Sequence, residues 1–363
     1  MTTPHALAQR PGPRDLRAAL ERRIRQLWFE PRGSIDALLG LVLRPLGSLV
    51  GAVSVYRREQ IARDKLAPRA AGSPAVVIVG NLLVGGTGKT PLLVALAKGL
   101  TARGWRIGVI ARGHGSDDRG TGRLPRQVLP DGTASDFGDE PILIARETGL
   151  PVVVGRDRGA ALRRLSAIEV LDVVLSDDGL QHVGLRRDIE LAVFDSRGAG
   201  NGRCLPAGPL REPLSNALLL DAVVLSGKAT STPIAHSRVF HFQTVPTRVA
   251  TLDDSRNWSV GEFAAQTRGQ SLDALAGIGT PERFFDQLAT LGIAARCWPL
   301  ADHAPIDEGW LASLQGRWLI MTAKDAVRCV GFDAGLRSRC VVLHIEAVPE
   351  AALIDWLEDR LRG

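Results

Sequence analysis

Lys89 and Thr90 follow Gly85-Gly86-Thr87-Gly88 just after the apolar run Val76-Val77-Ile78-Val79 ends. Those residue types at that spacing suit phosphate. Backbone N–H groups can converge on an anion at a helix N-terminus, and glycines let the main chain come close. Lys89 would reach the β- and γ-phosphates and the Thr90 hydroxyl would hold Mg²⁺. Pro91 fits the first helical turn, where its missing N–H costs little. The usual pattern has a glycine five residues before Gly88, where this chain has Leu83. The plainer alternative is a glycine-rich turn with an incidental Gly-Lys-Thr. Strand, loop and helix nonetheless come in the order that a nucleotide site requires.

Acidic pairs and a histidine supply further chemistry. Leu171–Ser176 is an apolar strand ending in Asp177-Asp178. An acid at such a strand end supports Mg²⁺ beside the loop hydroxyl in phosphoryl-transfer enzymes, and Asp177 is the better placed; an ordinary strand-to-turn pair is the alternative. Gly138-Asp139-Glu140-Pro141 sets two acids at a helix start, either as charge that favours the helix dipole or as a base and metal-organising pair. Asp302-His303 lies in a polar turn, where a neighbouring acid would perturb the imidazole. Arg112, Arg156, Arg158 and Arg211 either clamp phosphate or are solvated surface charges.

The elements that must position these groups alternate between strand and helix. Ala75–Val79, Arg106–Ala111, Val152–Val154, Asp172–Ser176, Ile189–Phe194 and Asp221–Leu225 are short apolar runs, as in a parallel sheet covered on both faces. Leu92–Ala102, Glu140–Thr148 and Asp157–Leu165 read as helices. The expectation is a P-loop-like, doubly wound, mostly parallel α/β core over residues 71–237, with ligands at the carboxyl ends of the strands. Val239–Phe242 and Thr247–Val249 look like two extended pieces of a β linker over residues 238–251. Residues 252–363 then read as a smaller α/β domain, with strands at Leu272–Ile278, Arg317–Thr322 and Val341–Ile345 and a closing helix at Ala351–Leu361.

The formal charge of +6 is unevenly placed. Residues 1–70 hold thirteen Lys and Arg against six acids, so the remainder is close to neutral and nothing points to a nucleic-acid partner. Arg14–Trp28 reads as a basic helix with Leu16, Leu20, Ile24 and Leu27 on one face. The apolar run from Ile35 to Tyr56 is broken by Asp36 and by Arg44-Pro45, which suggests two short interfacial helices rather than one span. Basic flanks would draw such helices to anionic lipids, so a peripheral or monotopic membrane contact is expected. A helical hairpin packed on the protein's own core is the alternative; a signal peptide would start late and export an ATP-type site from its ATP. Cys204, Cys297, Cys329 and Cys340 are scattered, without a CxxC pair, so neither a disulfide framework nor a zinc site is indicated.

Taken in order, these motifs resemble the tetraacyldisaccharide 4′-kinase family of lipid A biosynthesis. The pieces are Gly80-Asn81-Leu82 with Gly85–Pro91, Ala111-Arg112-Gly113, Gly138–Pro141, Asp177–His182 and Leu205–Pro213, then Ala276–Gly279, Pro281–Phe285, Ala301-Asp302-His303 and Thr322–Ala326. The family also lacks the first loop glycine, which accounts for Leu83. The resemblance implies Mg-ATP-dependent phosphorylation of the 4′-hydroxyl of a lipid-linked glucosamine disaccharide, the 1-phosphate, at the cytoplasmic face of the inner membrane. By that resemblance Asp139 is the catalytic base with His303 as its partner, Glu140 supports the metal, and Lys89 and Thr90 contact phosphate and Mg²⁺. Asp177, Asp178, Gln181, Arg211 and Glu212 match further active-site positions. This chain departs from many relatives at His114, often a tyrosine, and at Ala304, often a histidine. A membrane-associated NTPase switch and a soluble small-metabolite kinase are the competing readings. A switch does not need a base facing an acceptor hydroxyl, and a soluble kinase leaves the N-terminal segment unexplained.

Overall fold

A computed structural model describes residues 23–30, 33–66, 69–113, 124–227, 229 and 232–363. Residues 14–22 of the expected basic helix and His114 lie outside the described residues; residues 23–29 are helical.

Among the described residues, thirteen strands form one sheet. In chain order they are β1 (Ala75–Gly80), β2 (Ile107–Ala111), β3 (Arg126–Gln127), β4 (Val152–Val154), β5 (Val173–Asp177), β6 (Ile189–Phe194) and β7 (Ala222–Ser226), followed by β8 (Val239–Thr251), β9 (Asn257–Ser259), β10 (Leu272–Ala276), β11 (Arg296–Pro299), β12 (Trp318–Thr322) and β13 (Cys340–Pro349). Their spatial order is β11-β10-β12-β13-β8-β7-β6-β1-β5-β2-β4-β3, with β9 paired to β8. All pairings are parallel except β3–β4, β8–β9 and β8–β13. The mostly parallel α/β architecture expected from the sequence is therefore present.

The continuous apolar runs have a direct cause. Val77 and Val79 enter one core with the helix Lys89–Ala102, while Val76 and Ile78 enter another with Leu82, Leu180 and Phe194. A period of two with both faces covered demands apolar residues at every position. Strands β10, β12 and β13 repeat the pattern: Ala274 and Ile320 face one cluster, Leu275 and Leu319 the other. The C-terminal helix Ala351–Arg362 buries Leu353 and Leu357 in the same core as the helix Lys89–Ala102.

Two local expectations are corrected. The pieces at Val239–Phe242 and Thr247–Val249 are one thirteen-residue strand, β8, parallel to β7 and antiparallel to β13. Pro246, between the two pieces, cannot donate to a ladder. Here it sits where the β8–β13 register shifts, and a bulge absorbs it.

The apolar segment around Pro45 is likewise one helix, Gly33–Leu66, rather than two. An interior proline removes one hydrogen bond and crowds the preceding turn. The body meets the helix on both sides of it: before Pro45, a Cβ on Gly40 would stand 2.9 Å from Arg203 Nη1. Gly47 lies so close that a Cβ there would stand 2.9 Å from the Cys204 carbonyl oxygen. Further along, Ser54 Oγ donates to Arg211 O, Arg58 joins Glu190 and Glu212, and Lys65 Nζ lies 2.5 Å from Asp221. The docked stripe consists mainly of small and polar residues. Ile35, Leu38, Leu41, Val42, Leu46 and Leu49 face outward and are more than half exposed.

Candidate functional site

Strand β1 ends at Gly80, and its neighbours β5 and β6 lie on either side, so the loop that follows opens at a point where the strand order reverses. Asn81, fully buried, fixes the loop by donating from Nδ2 to Gly85 O at 3.0 Å and to Thr87 Oγ1 at 3.2 Å. Gly88 takes φ +86° as the helix N-cap, a conformation that a side chain would strain, and a Cβ there would meet Phe242 and Ser226 at 3.1 Å. Gly85, Gly86, Thr87 and Gly88 thus form the turn, and Lys89 and Thr90 open the helix. Arg197 donates to Gly86 O from one side. From the other, a Cβ on Gly279 would stand 3.2 Å from Gly86 N, so the β10 end covers the loop.

Lys89 Nζ lies 3.4 Å from Asp178 Oδ1, and Arg211 Nη1 donates to both oxygens of Asp178 at 2.9 and 2.8 Å. Burial alone would raise the Asp178 carboxyl, but Lys89 and Arg211 outweigh it and hold the group at about 2. Its backbone is unusual too, with φ +52° on a non-glycine residue. Asp177 behaves in the opposite way. Burial, then the charge of Glu140, pushes it up to about 7 despite Lys89. Its Oδ1 is buried without a hydrogen-bond partner. A carboxylate oxygen left alone in that surrounding lacks a cation, so the donor set of Thr90, Glu140 and Asp177 fits Mg²⁺. Among the described residues no group of three or more His, Cys, Asp or Glu could hold a metal on its own.

Asp139 and His303 meet. Asp139 opens the helix Asp139–Thr148 after Gly138, and is almost fully buried. His303 Nδ1 lies 2.9 Å from its Oδ1 and 3.0 Å from its Oδ2. His303 sits at φ +58° in the turn after β11, whose backbone is held by Gly277 O. The hydrogen bond to Asp139 raises the imidazole above its usual value, against burial and the charge of Lys324. Burial would raise the Asp139 carboxyl, but His303, Lys324 and Arg328 bring it below the usual range.

Other expected residues take different places. Gln181 Nε2 donates to Glu212 Oε1 at 2.6 Å and to Asn81 O at 3.1 Å, tying the loop to the segment around Arg211. Glu212 faces a buried network, receiving Arg58 and the Asn216 amide. Arg158 is buried rather than solvated: it donates to Gly155 O and to the Asp177 carbonyl, and burial lowers it to about 10. Residue-by-residue reading missed Arg58, which sits in a run that reads as a charged flank, and assigned no role to Lys324. Lys324 lies on the short helix Ala323–Ala326 directly after the apolar strand β12, and the carboxyl end of a parallel strand was the available signal. Its Nζ lies 3.2 Å from Glu140 Oε1 and 3.2 Å from His303 Nε2.

A family model described as tetraacyldisaccharide-1-P 4′-kinase, LpxK, matches residues 39–362. The chain is 40% identical over 344 residues to the tetraacyldisaccharide 4′-kinase of Stutzerimonas stutzeri, covering 94% of this chain and 97% of that one. It is 42% identical over 347 residues to the enzyme of that name from Chromobacterium violaceum, covering 94% and 98%. Among solved structures, LpxK from Aquifex aeolicus in complex with ATP has the same fold, with a TM-score of 0.72 at 23% identity over 89% of this chain and 99% of that one.

Proposed function

The chain belongs to the tetraacyldisaccharide 4′-kinase family, kinases of lipid A biosynthesis, and from that premise we propose how its own residues carry out the transfer. The acceptor is the 4′-hydroxyl of a tetraacyldisaccharide 1-phosphate, and the donor is ATP. Loop residues Gly85–Gly88 and Lys89 hold the β- and γ-phosphates. Thr90, Asp177 and Glu140 would hold Mg²⁺, which when bound neutralises charge on the transferring phosphoryl group.

The observation that carries this reading is the Asp139–His303 hydrogen bond, linked through Glu140 to the acids beside the loop. A kinase needs a proton acceptor facing its hydroxyl. Of the pair, we assign that role to Nε2 of His303, oriented by Asp139, because the bond raises the imidazole and leaves Asp139 a weak base. The hydroxyl oxygen bonds to the γ-phosphorus, the bond to the β-phosphate oxygen breaks, ADP leaves, and the hydroxyl proton passes to Nε2. Lys89 and Arg211, paired with Asp178, place positive charge near the phosphates.

The outward face of the helix Gly33–Leu66 supports a lipid acceptor. That helix is long and apolar enough to cross a bilayer by length and composition. It is also docked along one stripe on the body, so we read it as lying at the membrane surface with its apolar face in lipid. A groove of about 340 Å³ runs between this helix and the site, lined by Leu49, Val53, Arg57, Ile61, Gln181 and Arg211. It joins an apolar wall to cationic and amide groups, which suits an acylated phosphosugar. The cytoplasmic face of the inner membrane, where ATP is available, follows as the site of action.

The test is transfer from γ-labelled ATP to tetraacyldisaccharide 1-phosphate in mixed micelles. Label in the lipid is expected. Label only as free phosphate, with the acceptor present and dispersed, would favour an NTPase switch instead.

A further inference from the structure

The ammonium of Lys324 is surrounded by groups of the catalytic centre. Its Nζ lies 3.2 Å from Nε2 of His303, 3.2 Å from Oε1 of Glu140 and 3.3 Å from Oδ1 of Asp302. These contacts place the protons. A carboxylate only accepts, so Nδ1 of His303 carries the hydrogen aimed at Asp139. An ammonium only donates, so Nε2 is the nitrogen with the lone pair. The one basic position of the ring is therefore covered.

We propose that Lys324 is a positioning residue that caps Nε2 of His303, holds the ring as the Nδ1–H tautomer, and withholds its lone pair from water until an acceptor hydroxyl displaces it. This rests on the reading of His303 with Asp139 as the base.

Lysine and histidine turn share one frame. Lys324 lies on the short helix Ala323–Ala326, capped by Thr322, whose Oγ1 accepts from Asp325 N and donates to Asp325 Oδ2. Asp325, fully buried, accepts from Gly277 N at 3.0 Å and pairs with Arg328. Arg328 donates to Gly277 O and to Ala304 O, next to His303. The stem of Lys324 is thus fixed and only its tip has freedom. When the tip leaves Nε2 it keeps Glu140 and Asp302, so the exchange does not strand a buried charge. A base held ready beside bound ATP would also activate water. A cap that yields only to a well-positioned hydroxyl makes proton removal depend on the acceptor.

The test compares Lys324→Met, which removes the donor, with Lys324→Arg, which keeps one. Imidazole ¹⁵N spectra of the full-length wild-type protein are expected to show His303 as the Nδ1–H tautomer with a hydrogen-bonded Nε2. In Lys324→Met the Nε2 resonance should move to the position of a free acceptor, and in Lys324→Arg it should stay. ATP hydrolysis without acceptor should rise several-fold in Lys324→Met and remain low in Lys324→Arg. An Nε2 resonance unchanged by Lys324→Met, or hydrolysis no higher than in the wild type, overturns the proposal. A merely structural lysine would lower hydrolysis and transfer together. Neither readout uses the lipid, so failure of wild-type transfer to the disaccharide would strike the functional reading separately.

Discussion

Nδ1 of His303 stands 2.9 Å from Oδ1 of Asp139 across 164 residues of chain. Asp139 opens the helix Asp139–Thr148 and His303 lies in the turn after β11, and one continuous sheet carries the elements that bring the two together. His303→Ala and Asp139→Asn should each lower phosphoryl transfer by roughly 10²- to 10⁴-fold, the usual worth of a positioned base. ATP affinity, measured by calorimetry, should hardly change. Near-normal turnover in both variants would remove the pair from the mechanism.

Arg58 is almost wholly buried between Glu212 and Glu190, donating to Glu212 at 3.0 Å and to Glu190 at 2.7 Å. Arg58→Met would leave two buried carboxylates short of a partner, at a cost of roughly 3–5 kcal/mol. Urea denaturation measures this. A loss below about 1 kcal/mol would mean that the network is solvated and that the helix is not anchored through it.

The helix surface away from the body should behave differently. Leu38, Val42 and Leu46 are 61%, 65% and 53% exposed. Replacing all three by Asp should strongly reduce co-sedimentation with anionic phospholipid vesicles. Thermal stability in detergent-free buffer should change little, as is usual at exposed positions. Undiminished sedimentation would reject the membrane reading of this face.

Asp177 predicts a pH effect in metal-free, nucleotide-free protein. Its folded value is raised to about 7, by burial and then by Glu140, from the ordinary aspartate value of 3.8. Between those values the folded state holds a proton that the unfolded chain has released, so stability falls as pH rises through the window. Asp177→Asn never ionises and should escape this loss. Its stability relative to wild type should grow from pH 4 to pH 7, by at most about 1.4 kcal/mol per pH unit, and then level off. Denaturation midpoints in chelator at several pH values test it; a difference independent of pH would show that Asp177 is not desolvated as the geometry implies. The same substitution should severely reduce transfer.

The strand, glycine turn and helix around Lys89 were legible because their determinants are local. Apolar β-branched residues make β1, glycines make the turn, and Lys89-Thr90 opens the helix, all within sixteen residues of chain, Val76–Pro91. The apolar alternation likewise announced a covered parallel sheet. Where local rules misled, a distant partner had outweighed them. Pro45 argues for a break, yet the helix continues because Gly47, Ser54, Arg58 and Lys65 are held by residues from Cys204 to Asp221. Pro246 argues for two strands, yet a bulge against β13 accommodates it.

By itself, then, the sequence determined the chemistry that is available: a phosphate loop, acids at strand ends, a histidine beside an acid and an apolar segment with basic flanks. Only the tertiary structure decided which of these groups touch. It paired Asp139 with His303, set Lys324 on the far nitrogen of that ring, turned Glu212 toward Arg58 and left Oδ1 of Asp177 buried without a hydrogen-bond partner. The reason is physical. Residue types set what a group can donate, accept or bury, but hydrogen bonds act over about 3 Å, and proximity between distant segments is set by the packing of the whole sheet.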